Sequence, residues 1–334
     1  MTIRRLLALL LSVACLLGTA VGCAPAEPPD PVFTLLWTSD PQWYSFKYQD
    51  IIAHQNEWIA ENYEEYDIRY MFHTGDFVNL PHNHEEWAVM DESYKDLDEC
   101  GLPYGVLAGN HDVDGSDHTE FSQYFGEARY KDNEWYGESY EDNFGHYDLM
   151  TIADVPFIFV YKGYNQSYKD ADYEWLDREL DEHSDRIAVL NFHDYLNAAG
   201  ERSSSGELFF YNTVLTHPNV RMVLCGHNYA AHRKIDKVDD DGDGEADRTV
   251  YQIIANYQNT RKGGNGFMRF MECDVENGTI KTTTYSPLLD EYGSDYETKT
   301  DVDEYGTRDS FTIPFDFSVP SPKPDGFKAG VVVK

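Results

Sequence analysis

Cysteine is scarce in this sequence. Five cysteines occur among 334 residues, and only Cys100, Cys225 and Cys273 lie beyond the first 23 positions. This small, odd number excludes a disulfide framework as the basis of the fold. Cys225 and Cys273 lie in apolar runs, so we expect buried free thiols, with a single disulfide as the alternative. An apolar core must therefore hold the fold together.

Positive charge is also scarce. Lysine and arginine total 26 against 60 aspartates and glutamates, and the formal net charge is −34. Binding to nucleic acid depends on neutralising phosphates with cations, so we expect no nucleic-acid partner. The apolar share is 41% over the whole length, which favours one large α/β domain with insertions.

The first 22 residues are typical of a secretion signal. Arg4 and Arg5 precede an apolar run at 6–17, which is too short to span a membrane, and small residues lead from it to Cys23. This stretch resembles the lipobox of bacterial lipoproteins, although Ala20 stands where that pattern usually has leucine. The resemblance implies a lipidated Cys23 on the extracytoplasmic face of a bacterial cell membrane. Plain secretion is the alternative, and we expect no membrane contact beyond the lipid anchor.

From Val32 onward, short apolar runs alternate with amphipathic stretches, as in strands covered by helices. Helices are predicted at 48–63 and 85–97. Polar residues follow the predicted strands, and ligands of α/β sheets bind beyond the carboxyl ends of strands, so we expect one site there. The strands are predicted at 33–38, 68–74, 104–108, 157–161, 187–192 and 220–225.

The rest of the chain divides by composition. A proline-rich tether is predicted at 23–31, and the domain at 32–286, with an acidic insertion at about 114–144 that is expected to form a loop or a cap. A hairpin is predicted around Glu276-Asn277-Gly278. The extension at 287–334 is expected to pack loosely, because proline, glycine and charge dominate it. The sequence specifies no oligomeric state.

The polar residues that follow the strands form a set that suits metal ions. Carboxylates, carboxamides and imidazoles are ligands for manganese, iron and zinc. Two ions about 3.5–4 Å apart need a shared ligand, and a carboxylate such as Asp76, directly after Gly75, can serve. Asn79 belongs to the same set, and it either reaches the substrate or caps the following turn. The other candidates are Asp40, Gln42, Asp76, Asn110, His111, Asp112, His193 and His227.

These residues occur in an ordered pattern. It resembles the signature of calcineurin-like metallophosphoesterases, and its opening resembles a branch in which glutamine replaces a histidine. The resemblance implies a two-sheet β-sandwich flanked by helices, and hydrolysis of phosphate mono- or diesters on a small phosphorylated substrate by attack of metal-bound hydroxide. The elements are Asp40-Pro41-Gln42, Gly75-Asp76, Gly109-Asn110-His111-Asp112, His193 and Gly226-His227.

The same resemblance implies a role for each position. Asp40 and Gln42 would hold the first of two divalent metal ions, and Asp76 would bridge both. The second ion would be held by Asn110, His193 and His227. His111 would act beside the substrate phosphate as general acid or charge stabiliser, and Asp112 would orient it.

The sequence departs from the family at one place. The family usually continues Gly-His-x-His, whereas Tyr229 occupies the last of these positions here. The first ion could instead be held by Tyr229, by His232 or by water. A catalytically degenerate surface lipoprotein that acts as a binding protein is therefore the alternative function.

Other histidines and aromatics have simpler interpretations. His73 is expected to pack within a strand, and His82, His84 and His146 are expected at the surface. Trp43 follows the first metal ligands closely enough to line a pocket, or it packs in the core.

Acidic residues also alternate at 239–247, like the start of an EF-hand calcium loop, with Val250 in place of the closing glutamate. The flanks are strand-like, which favours a structural calcium ion in a hairpin turn over a helix–loop–helix. A solvated turn without an ion is the alternative. The calcium candidates are Asp239, Asp241, Asp243, Glu245 and Asp247.

Overall fold

A computed structural model describes residues 30–297, 302–321, 323 and 326–333. The predicted signal peptide, Cys23 and most of the tether lie outside these residues. Within the described ranges, no helix has both the length and the apolar character needed to cross a bilayer.

Fifteen strands of the described residues form two sheets. Seven lie in the first sheet, and their bounds are β1 Val32–Thr38, β2 Ile68–His73, β3 Tyr104–Gly105, β11 Met268–Asp274, β12 Thr279–Ser286, β13 Glu291–Tyr292 and β14 Ser310–Pro314. Eight lie in the second sheet, and their bounds are β4 Tyr136–Tyr140, β5 Gly145–Ile152, β6 Val155–Lys162, β7 Ile187–Phe192, β8 Val220–Cys225, β9 Ala231–Asp239, β10 Arg248–Ala255 and β15 Val331–Val333.

Helices cover the outer faces of both sheets. A π-helical turn, Phe210–Val214, continues the last helix, and a short 3-10 turn lies at Arg261–Gly263. The helices are α1 Gln42–Phe46, α2 Gln49–Asn62, α3 His84–Cys100, α4 Thr119–Phe125, α5 Glu127–Tyr130, α6 Asp170–Glu182 and α7 Ser204–Phe209.

Strand alternation builds the layers. Successive side chains of a strand point to opposite faces. Leu35 and Trp37 of β1 therefore join the core between the sheets, which also contains Phe159 of β6, while Leu36 packs beneath α2 and α3. A third core lies between the second sheet and α6, with Trp175 at its centre. The predicted α/β fold, a two-sheet sandwich flanked by helices, is confirmed.

Each sheet contains a block of parallel strands, at one end of the first sheet and in the middle of the second. The first sheet runs in the order β13-β12-β11-β1-β2-β3, with β14 against β12, and β1, β2 and β3 are parallel. The second runs β15-β9-β10-β8-β7-β6-β5-β4, and β10, β8, β7 and β6 are parallel. The carboxyl ends of the parallel strands carry the loops that hold the predicted ligands.

Several expectations are corrected. The insertion at 114–144 is not an irregular loop, because it contains α4, α5 and β4. The extension at 287–334 is not a loose tail, since β14 and β15 pair with strands of both sheets and Phe311 and Ile313 enter the central core. His146 is 1% exposed rather than at the surface, because it lies on β5, a strand that the sequence did not predict.

Other expectations are confirmed. The hairpin around 276–278 is formed by β11 and β12, which pair antiparallel. Cys225 and Cys273 are buried free thiols. His73 is fully buried, and its ring packs on that of Phe77 at 4.0 Å between centroids.

Candidate metal centre

The polar side chains at the strand ends converge between the two sheets. Asp40 and Asp76 follow β1 and β2 of the first sheet, whereas His193 follows β7 of the second. Each of these three buried residues offers one ligand atom, and the three atoms lie within 4.8 Å of one another. The two sheets thus contribute jointly to one cluster.

Asn110 joins two histidines of this cluster. Its Oδ1 lies 2.9 Å from Nε2 of His193 and 2.8 Å from Nδ1 of His227. The same ring nitrogens of the two histidines are 3.2 Å apart, and Nε2 of His193 lies 3.3 Å from Oδ1 of Asp76. The residues predicted to hold the second metal ion therefore face one another.

The residues predicted for the first ion are also close together. Nε2 of Gln42 donates to Oδ2 of Asp76 at 2.9 Å. Oδ1 of Asp40 accepts the backbone N–H of His227 at 3.1 Å and Nε2 of Gln258 at 3.3 Å. Asp40, Gln42 and Gln258 are all nearly fully buried.

Two glycines of the sequence pattern make room for these carboxylates. A Cβ on Gly109 would lie 2.1 Å from Oδ1 of Asp76, and a Cβ on Gly226 would lie 2.2 Å from Oδ2 of Asp40. Neither separation is sterically allowed, and the atoms in the way belong to the cluster itself. These close approaches explain why glycine stands at both positions.

Three members of the cluster have left-handed backbone conformations. The φ angles are 54° at Asp40, 59° at Asp76 and 66° at His227. Such conformations cost free energy in residues other than glycine and concentrate at functional sites. The strand ends are therefore bent to point these side chains at a common centre.

His111 lies at the edge of the cluster and is partly exposed. Its backbone N–H donates to Oδ1 of Asp76 at 2.9 Å, and its Nδ1 lies 2.8 Å from the carbonyl oxygen of Asn79. Asp112 instead accepts the backbone N–H groups of Gly109 and Val78, at 2.7 and 3.0 Å. The expected orientation of the His111 ring by Asp112 is therefore corrected: Asn79 holds the ring, and Asp112 braces the loops beneath it.

Burial and charge act against each other in the cluster. Burial raises the pKa of Asp40 to about 8. Burial alone would lower the pKa of His193, but the carboxylate of Asp76 raises it to about 10. Burial alone would raise the pKa of Asp76, yet the charge of His193 holds it below its usual value. Buried carboxylates of this kind require a cation nearby.

The cluster suits divalent metal ions. Oε1 of Gln42 is buried and has no hydrogen-bond partner among the described residues, which leaves a carbonyl oxygen available as a ligand. Two carboxylates, carboxamides and imidazoles form a mixed oxygen and nitrogen donor set that accepts manganese, iron or zinc. The residues present therefore fit a metal centre.

The two substitutes suggested for the missing histidine differ from the buried ligand candidates in exposure or position. Tyr229 is 52% exposed. His232 lies on β9 opposite Ile254, and a Cβ on Gly200 would lie 3.1 Å from its ring. Among the histidines, cysteines and acidic residues that the structure describes, His232 does not belong to the group of ligand atoms around Asp40.

Two residues near the cluster were not anticipated from the sequence. Gln258 follows β10 and reaches Asp40. The ring of Tyr164 stacks on His227 at 6.0 Å and meets His193 edge-on at 5.9 Å, measured between centroids. No sequence pattern marks either one, because each lies outside the glycine-containing elements.

A glycine-rich loop packs against α1 beside the centre. A Cβ on Gly263 would lie 2.6 Å from Cβ of Trp43, and the N–H of Gly266 donates to the hydroxyl of Tyr44 at 2.9 Å. The side chain of Trp43 remains 37% exposed to solvent. The loop also carries Arg261 and Lys262, both exposed.

The acidic turn at 239–247 connects β9 and β10, as predicted. Ligand atoms of Asp239, Asp241 and Asp247 lie within 4.8 Å of one another, and Asp243 and Glu245 are not in this group. Asp239 accepts the N–H groups of Gly242 and Gly244, at 2.6 and 2.8 Å. These carboxylates thus stabilise the turn directly, and calcium binding stays a prediction.

Comparison with known proteins agrees with this geometry. A sequence profile of the calcineurin-like phosphoesterases matches residues 33–230. An uncharacterized Bacillus subtilis protein, YvnB, is 42% identical over 292 residues. That alignment covers 86% of this chain and 22% of YvnB, so the chain spans about a fifth of that relative.

Solved structures share the fold. A dimetal phosphatase from Danio rerio superposes with a TM-score of 0.53 at 13% identity, covering 86% of this chain and 100% of that one. A purple acid phosphatase from yellow lupin, Lupinus luteus, gives 0.52 at 12% identity, covering 88% of this chain and 57% of that one. With the profile match and the converging strand-end ligands, these likenesses lead to one conclusion: the chain belongs to the calcineurin-like phosphoesterase family.

Proposed function

We propose that this protein hydrolyses phosphate mono- or diesters at the centre between its two sheets. The observation that carries the proposal is the convergence of Asp40, Asp76 and His193, whose ligand atoms lie within 4.8 Å of one another. Asn110 and His227 extend this cluster through contacts of 2.8 to 2.9 Å. A set that combines two sheets in this way is difficult to explain by packing alone.

The chain's residues divide between the two ions. Asp40 and Gln42 would hold the first and Asp76 would bridge, while Asn110, His193 and His227 would hold the second. Manganese, iron or zinc would suit this donor set and, when bound, would act as Lewis acids toward the phosphate. Gln42 at the first position also supports membership of the branch with an Asp-Pro-Gln opening.

His111 is suited to move a proton. The contact between its Nδ1 and the carbonyl of Asn79 places the proton of the neutral ring on Nδ1, so Nε2 of the neutral ring is an acceptor. In the imidazolium form, Nε2–H can donate to the oxygen of the leaving group. The hydrogen bond from the backbone N–H of His111 to Asp76 keeps this residue at a constant position beside the centre.

The substrate is expected to be small and anionic. A protein of net charge −34 repels anions at long range. Arg261 and Lys262 provide local positive charge on the loop that packs against Trp43, and that loop begins two residues after Gln258. We infer that these cations attract the phosphorylated substrate, whereas a polynucleotide would meet the negative surface around them.

Chromogenic phosphate mono- and diesters test the activity. The purified protein, supplied with manganese, zinc or iron, is expected to turn over at least one of them. Absence of turnover with every metal, together with fewer than two ions bound per chain, would favour the binding-protein alternative instead.

We also propose that the protein is exported and attached to the outer face of a bacterial membrane through Cys23. The support is the sequence before Cys23 and the proline-rich tether that follows it. A Cys23→Ala variant should appear in the culture medium. Labelled palmitate should be incorporated into the unaltered protein and not into the variant. Labelling of the variant would contradict the assignment.

A further inference from the structure

In the first-metal half of the proposed centre, position 229 provides no imidazole. The structure places a different side chain, Gln258, beside Asp40. Gln258 is 5% exposed, and its Nε2 lies 3.3 Å from Oδ1 of Asp40. It follows β10, which lies beside β8, the strand that leads into His227. Gln258 thus reaches Asp40 from the same edge of the second sheet as the family's usual histidine.

Neighbouring hydrogen bonds fix Gln258 relative to the other ligands. Its backbone N–H donates to Oδ1 of Asn256 at 2.9 Å, and Nδ2 of Asn256 donates to the carbonyl of His227 at 3.0 Å. The N–H of His227 in turn donates to Asp40 at 3.1 Å. Asp40, His227, Asn256 and Gln258 therefore form one closed circuit, which is buried except at His227.

We infer that Gln258 is a ligand of the first metal ion, in place of the histidine that Tyr229 replaces. The inference rests on the proposed two-metal centre. A carboxamide carries a donor nitrogen and an acceptor oxygen on the same carbon. Rotation about the last side-chain bond exchanges them, so a side chain that donates to Asp40 can present its oxygen to a cation held by Asp40.

This assignment gives the first ion a distinct set of ligands. Asp40, Gln42 and Gln258 offer oxygen atoms, whereas the second ion receives imidazole nitrogens from His193 and His227. Oxygen ligands favour harder ions such as manganese over zinc. We therefore expect the first position to prefer manganese and to exchange its ion more readily.

Manganese binding tests the inference without any substrate. Binding to the purified protein is followed by isothermal titration and by electron paramagnetic resonance of free Mn²⁺. The unaltered protein should bind two ions. Gln258→Ala should weaken one of them by about tenfold or more and leave the other within about twofold. If Gln258→Ala binds both ions as tightly as the unaltered protein does, the inference is overturned.

A second variant separates a ligand from a residue that only positions Asp40. Gln258→Glu keeps an oxygen but removes the N–H that donates to Asp40, so a ligand role predicts retained or tighter binding of the first ion. Weakened binding in both Gln258→Glu and Gln258→Ala would overturn the ligand role. Melting temperatures of the two variants show whether each is folded.

The discarded candidates serve as matched controls. Tyr229→Phe and His232→Ala should both bind two ions as tightly as the unaltered protein. Weakening of the first ion in Tyr229→Phe would overturn the assignment to Gln258. Fewer than two ions in the unaltered protein would instead refute the two-metal centre itself, and that result is seen before any variant is made.

Discussion

Asn110 contacts two imidazoles directly, whereas Asp40 accepts hydrogen bonds from a hydroxyl, a backbone amide and a carboxamide. In the Asn110 half, three side chains from separate strand ends lie within 3.2 Å of one another. In the Asp40 half, the carboxylate accepts the N–H of His227 at 3.1 Å and Nε2 of Gln258 at 3.3 Å, together with the hydroxyl of Ser39. The comparison teaches that one centre can combine a nitrogen-rich position with an oxygen-rich one, which should bind ions with different strength.

The largest expected effect is at Asp76, which both halves share. Substitution of partners outside the ligand shell of a metal site costs about 10–100-fold, so Asp76→Ala should lower kcat/KM by about a thousandfold or more. The measurement is hydrolysis of a chromogenic ester with added manganese. Asp132→Ala, which removes an exposed carboxylate, is the matched control. A rate for Asp76→Ala within tenfold of the control would remove Asp76 from the centre.

The two halves should differ when one ligand is removed from each. His193→Ala removes a buried imidazole that contacts both Asn110 and Asp76, and we expect a loss of about a hundredfold or more in kcat/KM. Gln42→Ala removes the carboxamide proposed as a weaker ligand, and we expect a loss of about tenfold in kcat/KM, partly restored by excess manganese. If Gln42→Ala costs as much as His193→Ala, the proposed difference between the halves disappears.

Metal removal should lower stability as well as activity. A ligand present at a hundred times its Kd stabilises the folded state by about 2.7 kcal/mol, so manganese should raise the melting temperature by several degrees above that in chelator. Asp76→Asn should abolish this shift. Calorimetry with zinc and manganese in turn would show two separate increments if the halves differ. A single increment with both metals would argue for one kind of position.

The smallest effect is expected outside both halves of the centre, at the glycine-rich loop that packs against α1. Arg261→Ala together with Lys262→Ala should raise KM about three- to tenfold without changing kcat, because exposed charges contribute modestly to binding. The difference should shrink at high salt. Lys237 and Lys328 are also exposed, and a double alanine substitution there removes the same charge elsewhere. An equal rise in KM in that control would assign the effect to net charge alone.

Much of the site was predictable because close contacts between backbone and side chains require glycine at particular positions. Gly109 and Gly226 occupy positions where a Cβ would meet Asp76 or Asp40, so glycine and ligand occur together as recognisable elements. The strands β7 and β8 also have the predicted bounds, since each is a short apolar run that ends in polar residues. Local sterics and strand alternation were sufficient for these features.

Other features had no recognisable local sequence pattern. His146 was placed at the surface because β5, with its mixed residues, does not show a clear alternation. The strands β14 and β15 are short segments in a polar extension, and they form only because β12 and β9 offer free edges. Pairing between distant segments depends on the assembled sheets, which local composition does not describe.

By itself, the sequence indicated the family and the residues that meet around Asn110, because these depend on glycines and polar residues next to short apolar runs. Only the tertiary structure decided what lies beside Asp40. Gln258 is 218 residues away along the chain, and it reaches Asp40 only because the packing of the two sheets brings β1 and β10 to the same edge. The same packing leaves Tyr229 largely exposed and His232 on β9, outside the group of Asp40, Asp76 and His193 among the described residues.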